Sequence, residues 1–320
     1  MNFVLSEMTF LRYYMPLIIE AKNRGIRSRI FVGRNNKYNN PRSFMDHIEN
    51  LSDIHEFEIL DLNEAHKHSG IVFLIEGVDH DKVDSSKTTT VSLTYMTDYS
   101  GLYDSYVNKV DHIVFPSEYF AKIYNKDNPK NLYLGSPKYD LDLDESRIIN
   151  KYNLTNGKKA LIIYPKTIYK SKVDLNRIYS NLKELGYNIL VKSRGKDPVT
   201  NKDHRGDAYY SDKCWYPHTT MEFIKVSDIV INFNSTSIKE SVLLRTPLIN
   251  FNVKPWMPLG ELYEYEYCYT SPNEFKDEEF KSAVNRLTTN DLAESFDKAI
   301  QERLFEKNSS KRILDYLEVI

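Results

Sequence analysis

Residues 227–253, SDIVINFNSTSIKESVLLRTPLINFNV, restrict the fold of this 320-residue chain more than any other stretch. They read in order as strand, tight polar turn, helix, turn and strand, which is half of a parallel α/β sheet. Ile229, Val230, Ile231 and Phe233 make a short β-branched and aromatic run, the pattern of a strand buried on both faces. A helix is expected over 238–244 and a second strand over 247–251. Between the first strand and the helix stand Asn234, Ser235, Thr236 and Ser237. Open α/β sheets bind ligands where a strand's carboxyl end meets a helix amino terminus, and backbone N–H groups there attract phosphate. The turn is therefore expected to receive an anion. Ser237 and Glu240 also have S-x-x-E spacing, in which serine hydroxyl and glutamate carboxylate satisfy each other's backbone donors, so local capping is the competing reading.

The length suits two domains of about 150 residues each. Hydrophobic residues make up 41% and charged residues 28%, values of an ordinary globular chain rather than a disordered one. A net charge of −2 argues against gripping nucleic acid by bulk electrostatics. No run approaches the ~18–20 apolar residues of a spanning helix. The opening Met-Asn-Phe-Val-Leu-Ser-Glu has no basic region followed by an apolar one, so a cytoplasmic location is expected. Cys214 and Cys268 have neither metal-ligand spacing nor the density of a disulfide framework, and the eight histidines form no recognised ligand set.

Along the chain, strands are expected at 2–5, 30–32, 57–62, 71–75, 91–95 and 110–115, and a helix over 16–23 with Pro16 at its first position and Gly25 past its end. Residues 6–15 and 35–42 read as loops. The alternation predicts a mostly parallel sheet. A change of character around Gly135, Ser136, Pro137, Lys138, Tyr139 and Asp140 suggests a linker between about 136 and 158. A second α/β series follows: strand 160–164, helix 176–185, strand 188–191, and helix 219–226 with Thr219 and Glu222 in capping-box spacing. Helices are expected over 291–303 and 311–317. The domains are thus 1–140 and 155–290, followed by terminal helices over 291–320.

The 227–253 stretch, with its Ser/Thr turn, its helix carrying Glu240 and its Pro-strand return, resembles the nucleotide-binding segment of GT-B glycosyltransferases. The opening P-L-x-x-x-A-x-x-x-G at 16–25 is similar to their first unit. Gly135-Ser-Pro-Lys-Tyr-Asp140 resembles the G-x-P-R-x-D of CDP-glycerol glycerophosphotransferases and, more loosely, the G-N-P of non-hydrolysing UDP-N-acetylglucosamine 2-epimerases. The resemblance implies a GT-B α/β fold: two Rossmann-like domains with mostly parallel sheets facing an interdomain cleft, and terminal helices over 291–320 packing back toward the first domain. It also implies sugar transfer from a nucleotide-activated, UDP-linked donor to an acceptor hydroxyl, with no metal and no further cofactor. Ser235, Thr236 and Ser237 would then hold the donor's phosphates and Glu240 its ribose.

Without a metal, protein cations must neutralise the diphosphate. Lys166 and Thr167 follow the strand at 160–164, and Lys192 and Arg194 follow the one at 188–191, so these are the donor-side candidates; surface-loop lysines are their bland reading. His218, in Tyr216-Pro217-His218, could border the base or form an ordinary turn. Inverting GT-B enzymes use a first-domain base. Asp98 is the candidate, because Tyr95-Met96-Thr97-Asp98 resembles the strand-Thr-Asp of phage DNA β-glucosyltransferases; a helix cap is its alternative, and Glu7, Glu76 and Asp104 compete with it. The acceptor classes left open are a glycan, a polyol and a hydroxymethylated DNA base. Epimerase-like or glycerophosphotransferase-like activity, and a non-catalytic nucleotide-sugar-binding module, are the other readings.

Overall fold

Short apolar runs alternating with amphipathic ones fold into parallel strands joined by helical crossovers. The computed structural model describes residues 1–33, 41–95, 100–121, 127–193, 205–210, 216–254, 260–303 and 308–318. The chain divides into two units, Met1–Leu141 with Phe305–Ile320, and Asp142–Leu304. The first unit runs β1 (Asn2–Leu5), α1 (Leu11–Asn23), β2 (Arg29–Val32), α2 (Pro41–His55), β3 (Glu58–Asp61), β4 (Gly70–Ile75), β5 (Thr88–Leu93), α3 (Ser100–Tyr106), β6 (His112–Val114), α4 (Glu118–Ala121) and β7 (Asn131–Leu132). The second runs α5 (Glu145–Tyr152), β8 (Lys159–Ile163), α6 (Leu175–Glu184), β9 (Asn188–Lys192), β10 (Ala208–Tyr210), α7 (Thr219–Lys225), β11 (Ile229–Asn232), α8 (Ile238–Leu243), β12 (Leu248–Phe251), β13 (Cys268–Ser271), α9 (Asp277–Thr289) and α10 (Ala293–Arg303). Helix α11 (Ser309–Leu317) then belongs to the first unit.

The seven-stranded sheet has the order β3-β2-β1-β4-β5-β6-β7 and the six-stranded one β10-β9-β8-β11-β12-β13. Every pairing is parallel. Both therefore follow the doubly wound pattern, in which strand order reverses beside the first strand and leaves a crevice at the carboxyl ends. The reversals fall at β1/β4 and β8/β11. Strands β1, β8, β11 and β12 are buried along their whole length, as strands covered by helices on both faces must be. The fold is a two-domain α/β GT-B fold. Among the described residues no helix is long and apolar enough to cross a membrane.

Several local expectations change. Helix α1 begins at Leu11, so Pro16 lies inside it rather than at its start. An interior proline removes a helical hydrogen bond and costs about 3 kcal/mol, but burial of Leu11, Tyr13, Tyr14, Met15, Leu17 and Ile18 outweighs that at ~1.5–3 kcal/mol for each large apolar side chain. The expected loop over 6–15 is accordingly mostly helical. Helix α2 went unread, although Phe44, Ile48 and Leu51, all buried, stand at helical spacing after Pro41. The expected linker contains α5, whose N-terminus is capped by the Asp144 carboxylate accepting from the Arg147 amide at 2.7 Å.

The Gly135–Asp140 string docks α11. Asp140 accepts from the backbone amides of Ser309 (3.0 Å) and Ser310 (2.5 Å), covering two of the N–H groups a helix start leaves open. Gly135 has φ +98°, and a Cβ there would stand 2.1 Å from Ser309 Oγ. The apolar face of α11, with Ile313, Leu314 and Leu317, is buried.

Candidate functional site

In the second sheet β9, β8, β11 and β12 are successive neighbours, so their carboxyl ends span roughly 15 Å at about 4.8 Å per strand. The register puts Ile162 beside Ile231 and Asn232 beside Asn250. Lys192 ends β9, Lys166 and Thr167 follow β8, and Ser235, Thr236 and Ser237 follow β11. Residues 26 to 71 positions apart in sequence thus meet at one sheet edge, beside the β8/β11 reversal. Lys166, Thr167 and Thr236 are exposed, while Ser235 and Ser237 are half-buried. Lys192 is buried, with Nζ donating to the Ser193 carbonyl at 3.2 Å. Arg194 lies outside the described residues.

The turn is held by a group of asparagines. The tetrapeptide Ile-Asn-Phe-Asn occurs twice, at 231–234 and 249–252, and β11 and β12 pair the two copies in register. Asn250 Oδ1 accepts from Asn232 Nδ2 (3.0 Å) and from the Asn234 amide (2.9 Å). Asn234 Nδ2 donates to Asn252 Oδ1 (3.1 Å), and Asn234 Oδ1 accepts from the Val253 amide (2.7 Å). Tyr263 Oη accepts from Asn232 Nδ2 (3.0 Å) and donates to the Ser235 carbonyl (3.1 Å). Asn234 takes φ +51°, a left-handed conformation that asparagine tolerates better than most residues. Phe233 and Phe251 stack 5.5 Å apart at 17° beneath. Most buried polar groups find partners; here Asn232 Nδ2, Asn250 Oδ1 and the Asn234 side chain do so within the group and fix the turn's backbone. Sequence reasoning missed Asn232, Asn250 and Tyr263, and the repeated Ile-Asn-Phe-Asn was the available signal.

The two capping readings do not survive. Ser237 precedes α8 but its side chain makes no cap bond, and its amide is directed at Ser235 Oγ (3.3 Å), which also bonds Ser237 Oγ at 3.1 Å. Glu240 is buried in the first turn of α8. Thr219 is the first helical residue of α7 rather than its cap, and the buried Glu222 instead takes Lys151 Nζ (2.8 and 2.9 Å) and Tyr152 Oη (2.6 Å). His218 occupies the position before α7 and is buried. Beside it, burial pushes the Tyr216 phenol up to about 12. The Cys268 thiol is pushed up to about 12 by burial, so it stays protonated and unreactive at neutral pH; Cys214 lies outside the described residues.

In the first unit Asp98 lies outside the described residues. Of its competitors, Glu7 follows β1 and Glu76 follows β4, the strands flanking the order reversal. Glu7 accepts from Thr9 Oγ1 at 3.3 Å. Glu76 has φ +49° and accepts from the Tyr95 amide at 3.1 Å. Asp104 is instead exposed on α3. Among the described residues no group of three or more His, Cys, Asp or Glu gathers as a metal site.

No protein-family model matches the chain, and no curated protein matches it in sequence. Solved structures match it along nearly its whole length. A Listeria monocytogenes protein described as a UDP-N-acetylglucosamine 2-epimerase is 11% identical with a TM-score of 0.67, covering 99% of this chain and 95% of its own. The wall teichoic acid polymerase TagF is 14% identical with a TM-score of 0.69, covering 99% and 87%. A glycosyltransferase of kitacinnamycin is 9% identical with a TM-score of 0.64, covering 99% and 98%. Such structural neighbours are of the GT-B type, and at these identities they define the fold.

Proposed function

We propose that this protein is a glycosyltransferase that moves a sugar from a nucleotide-activated donor, UDP-linked, to an acceptor hydroxyl. The observation that carries the proposal is the Ser235–Thr236–Ser237 turn, braced by buried asparagines at the carboxyl end of β11 and flanked by Lys166 and Thr167 after β8. Hydroxyl donors and ammonium groups beside a strand-order reversal suit a diphosphate. In this reading Ser235, Thr236 and Ser237 hold the diphosphate with Lys166, Thr167, Lys192 and Arg194, and Glu240 takes the ribose hydroxyls. His218 borders the base, and Asp98 removes the acceptor's proton. Protein cations carry the leaving group's charge. Polyol-phosphate transfer is the second reading, favoured by the similarity to TagF along 99% of the chain.

A thermal-shift and calorimetric screen of UDP, CDP and GDP, with their sugar and glycerol conjugates, tests the proposal. A ligand at 100 times its Kd stabilises by about 2.7 kcal/mol. Stabilisation by a nucleoside diphosphate, lost on replacing Ser235 and Thr236 with Ala at unchanged apo stability, is the expected result. A CDP-glycerol response without a sugar-nucleotide response selects the second reading. Silence toward all of them removes both.

A further inference from the structure

Two lysines that stand outside the sequence motifs bond to the linked residues Asn234 and Val253. Lys172 ends the 3-10 segment after β8, and its Nζ donates to the Val253 carbonyl at 2.8 Å. Lys254 follows β12, and its Nζ donates to the Asn234 carbonyl at 2.5 Å. Val253 and Asn234 are themselves joined, amide to Oδ1, at 2.7 Å. Ammonium groups from two separate segments are thereby fixed around a single pair of bonded residues, one of which adjoins Ser235. A carbonyl positions an ammonium without cancelling its charge, and among the described residues Lys172 has no carboxylate partner; its other contact is the Tyr169 ring, 5.4 Å away. Two positive charges held around the bonded Asn234–Val253 pair repel each other, and an anion bound beside them reverses the sign of that energy.

We propose that Lys172 and Lys254 are further cations that bind the diphosphate of the donor, their heads pre-positioned by the Val253 and Asn234 carbonyls. The proposal rests on the glycosyltransferase reading and adds two residues to it. As the bond between the anomeric carbon and the β-phosphate oxygen breaks, its electron pair passes to that oxygen, and the two ammonium groups stabilise the charge formed there. The acceptor oxygen forms the new bond to the anomeric carbon and yields its proton to the base. Because the lysine heads are already anchored, little side-chain entropy is lost on binding.

Calorimetry on the full chain with UDP, CDP and GDP, each paired with its nucleoside, tests this. For the nucleoside diphosphate that the wild type binds, Lys172→Met and Lys254→Met are each expected to weaken binding roughly tenfold or more, the scale of one charge-assisted bond. Nucleoside affinity stays constant, and Lys→Arg restores diphosphate binding. The salt dependence of diphosphate affinity is also expected to be shallower in each Met variant. If a Met variant fails to fold, Gln replaces it, keeping a donor for the carbonyl while dropping the charge. Unchanged diphosphate affinity, or equal losses for nucleoside and diphosphate, overturns the proposal by making the lysines scaffold only. A wild type that binds none of the three diphosphates fails differently: the glycosyltransferase reading falls, and the lysine proposal with it.

Discussion

Glu240 is where position and chemistry have to be separated. Its carboxylate is buried in the first turn of a six-residue helix whose serine does not cap, so the serine–glutamate capping box is not completed. As a ribose ligand it accepts from two hydroxyls, and Gln can accept only through its carbonyl oxygen. Loss of one charge-assisted bond, about 1.5–3 kcal/mol, predicts a roughly 10- to 150-fold weaker nucleotide affinity for Glu240→Gln. Calorimetry with ribose and 2′-deoxyribose nucleotides checks this: the wild type should prefer ribose and the variant should not. The asparagines make a different kind of prediction. Asn250 is fully buried and its Oδ1 serves two donors, so Asn250→Ala strands both, each costing about 1–3 kcal/mol. A lowered denaturation midpoint is expected even without ligand, whereas Ser235→Ala, on the half-buried rim, should leave it within ~0.5 kcal/mol. The comparison separates the residues that hold the turn from those proposed to use it.

At the scale of elements, β6 and α11 touch through a titratable contact. The His112 ring lies edge-on to Tyr316, 5.5 Å between centroids. Burial lowers its pKa from the usual histidine value, Asp111 opposing and Lys130 reinforcing the shift. His55, at the end of α2, is lowered likewise by burial and by Lys22. The unfolded chain therefore takes up protons at these rings as pH falls through about 6.5, while the folded chain takes them up only at lower pH. Stability is full above the unfolded pKa and declines as pH drops through the folded one. Urea midpoints at pH 7.5 and 5.5 should differ in that direction, and His112→Phe should shrink the difference. Equal shrinkage in a control at the exposed His66 would show that the contact with α11 is not the source.

The whole molecule depends on a helix that returns. Ile313 and Leu314 are fully buried and Leu317 nearly so; at ~1.5–3 kcal/mol each they contribute about 5–9 kcal/mol to the first unit, comparable with a domain's total margin of about 5–15 kcal/mol. The salt bridges of Arg24 with Asp315 and Glu318 (2.8 and 2.9 Å) are partly exposed and add little. Deleting residues 305–320 should therefore abolish amide protection in β1 and α1 while β8, β11 and β12 keep theirs, as hydrogen exchange would read. Much of this architecture was legible beforehand. Parallel strands buried on both faces are written as continuous apolar runs, so 2–5, 71–75, 229–233 and 247–251 announced themselves, and with them the strand-turn-helix grammar and the Ser235–Ser237 turn. Helix α1 was misjudged because a proline rule is local and the burial that overrides it is not. Strand order was out of reach for the same reason: that β8 lies between β9 and β11, putting the segment after β8 at the same sheet end as the Ser235 turn, is decided by sheet pairing across tens of residues. The sequence by itself determined which segments are strands and where a strand end turns polar, because those depend on neighbours along the chain. Only the tertiary structure decided that Asn250 braces Asn234, that Lys172 and Lys254 reach the bonded pair Val253 and Asn234, and that Asp140 receives α11, because each is a contact between residues whose separation in sequence carries no local signal.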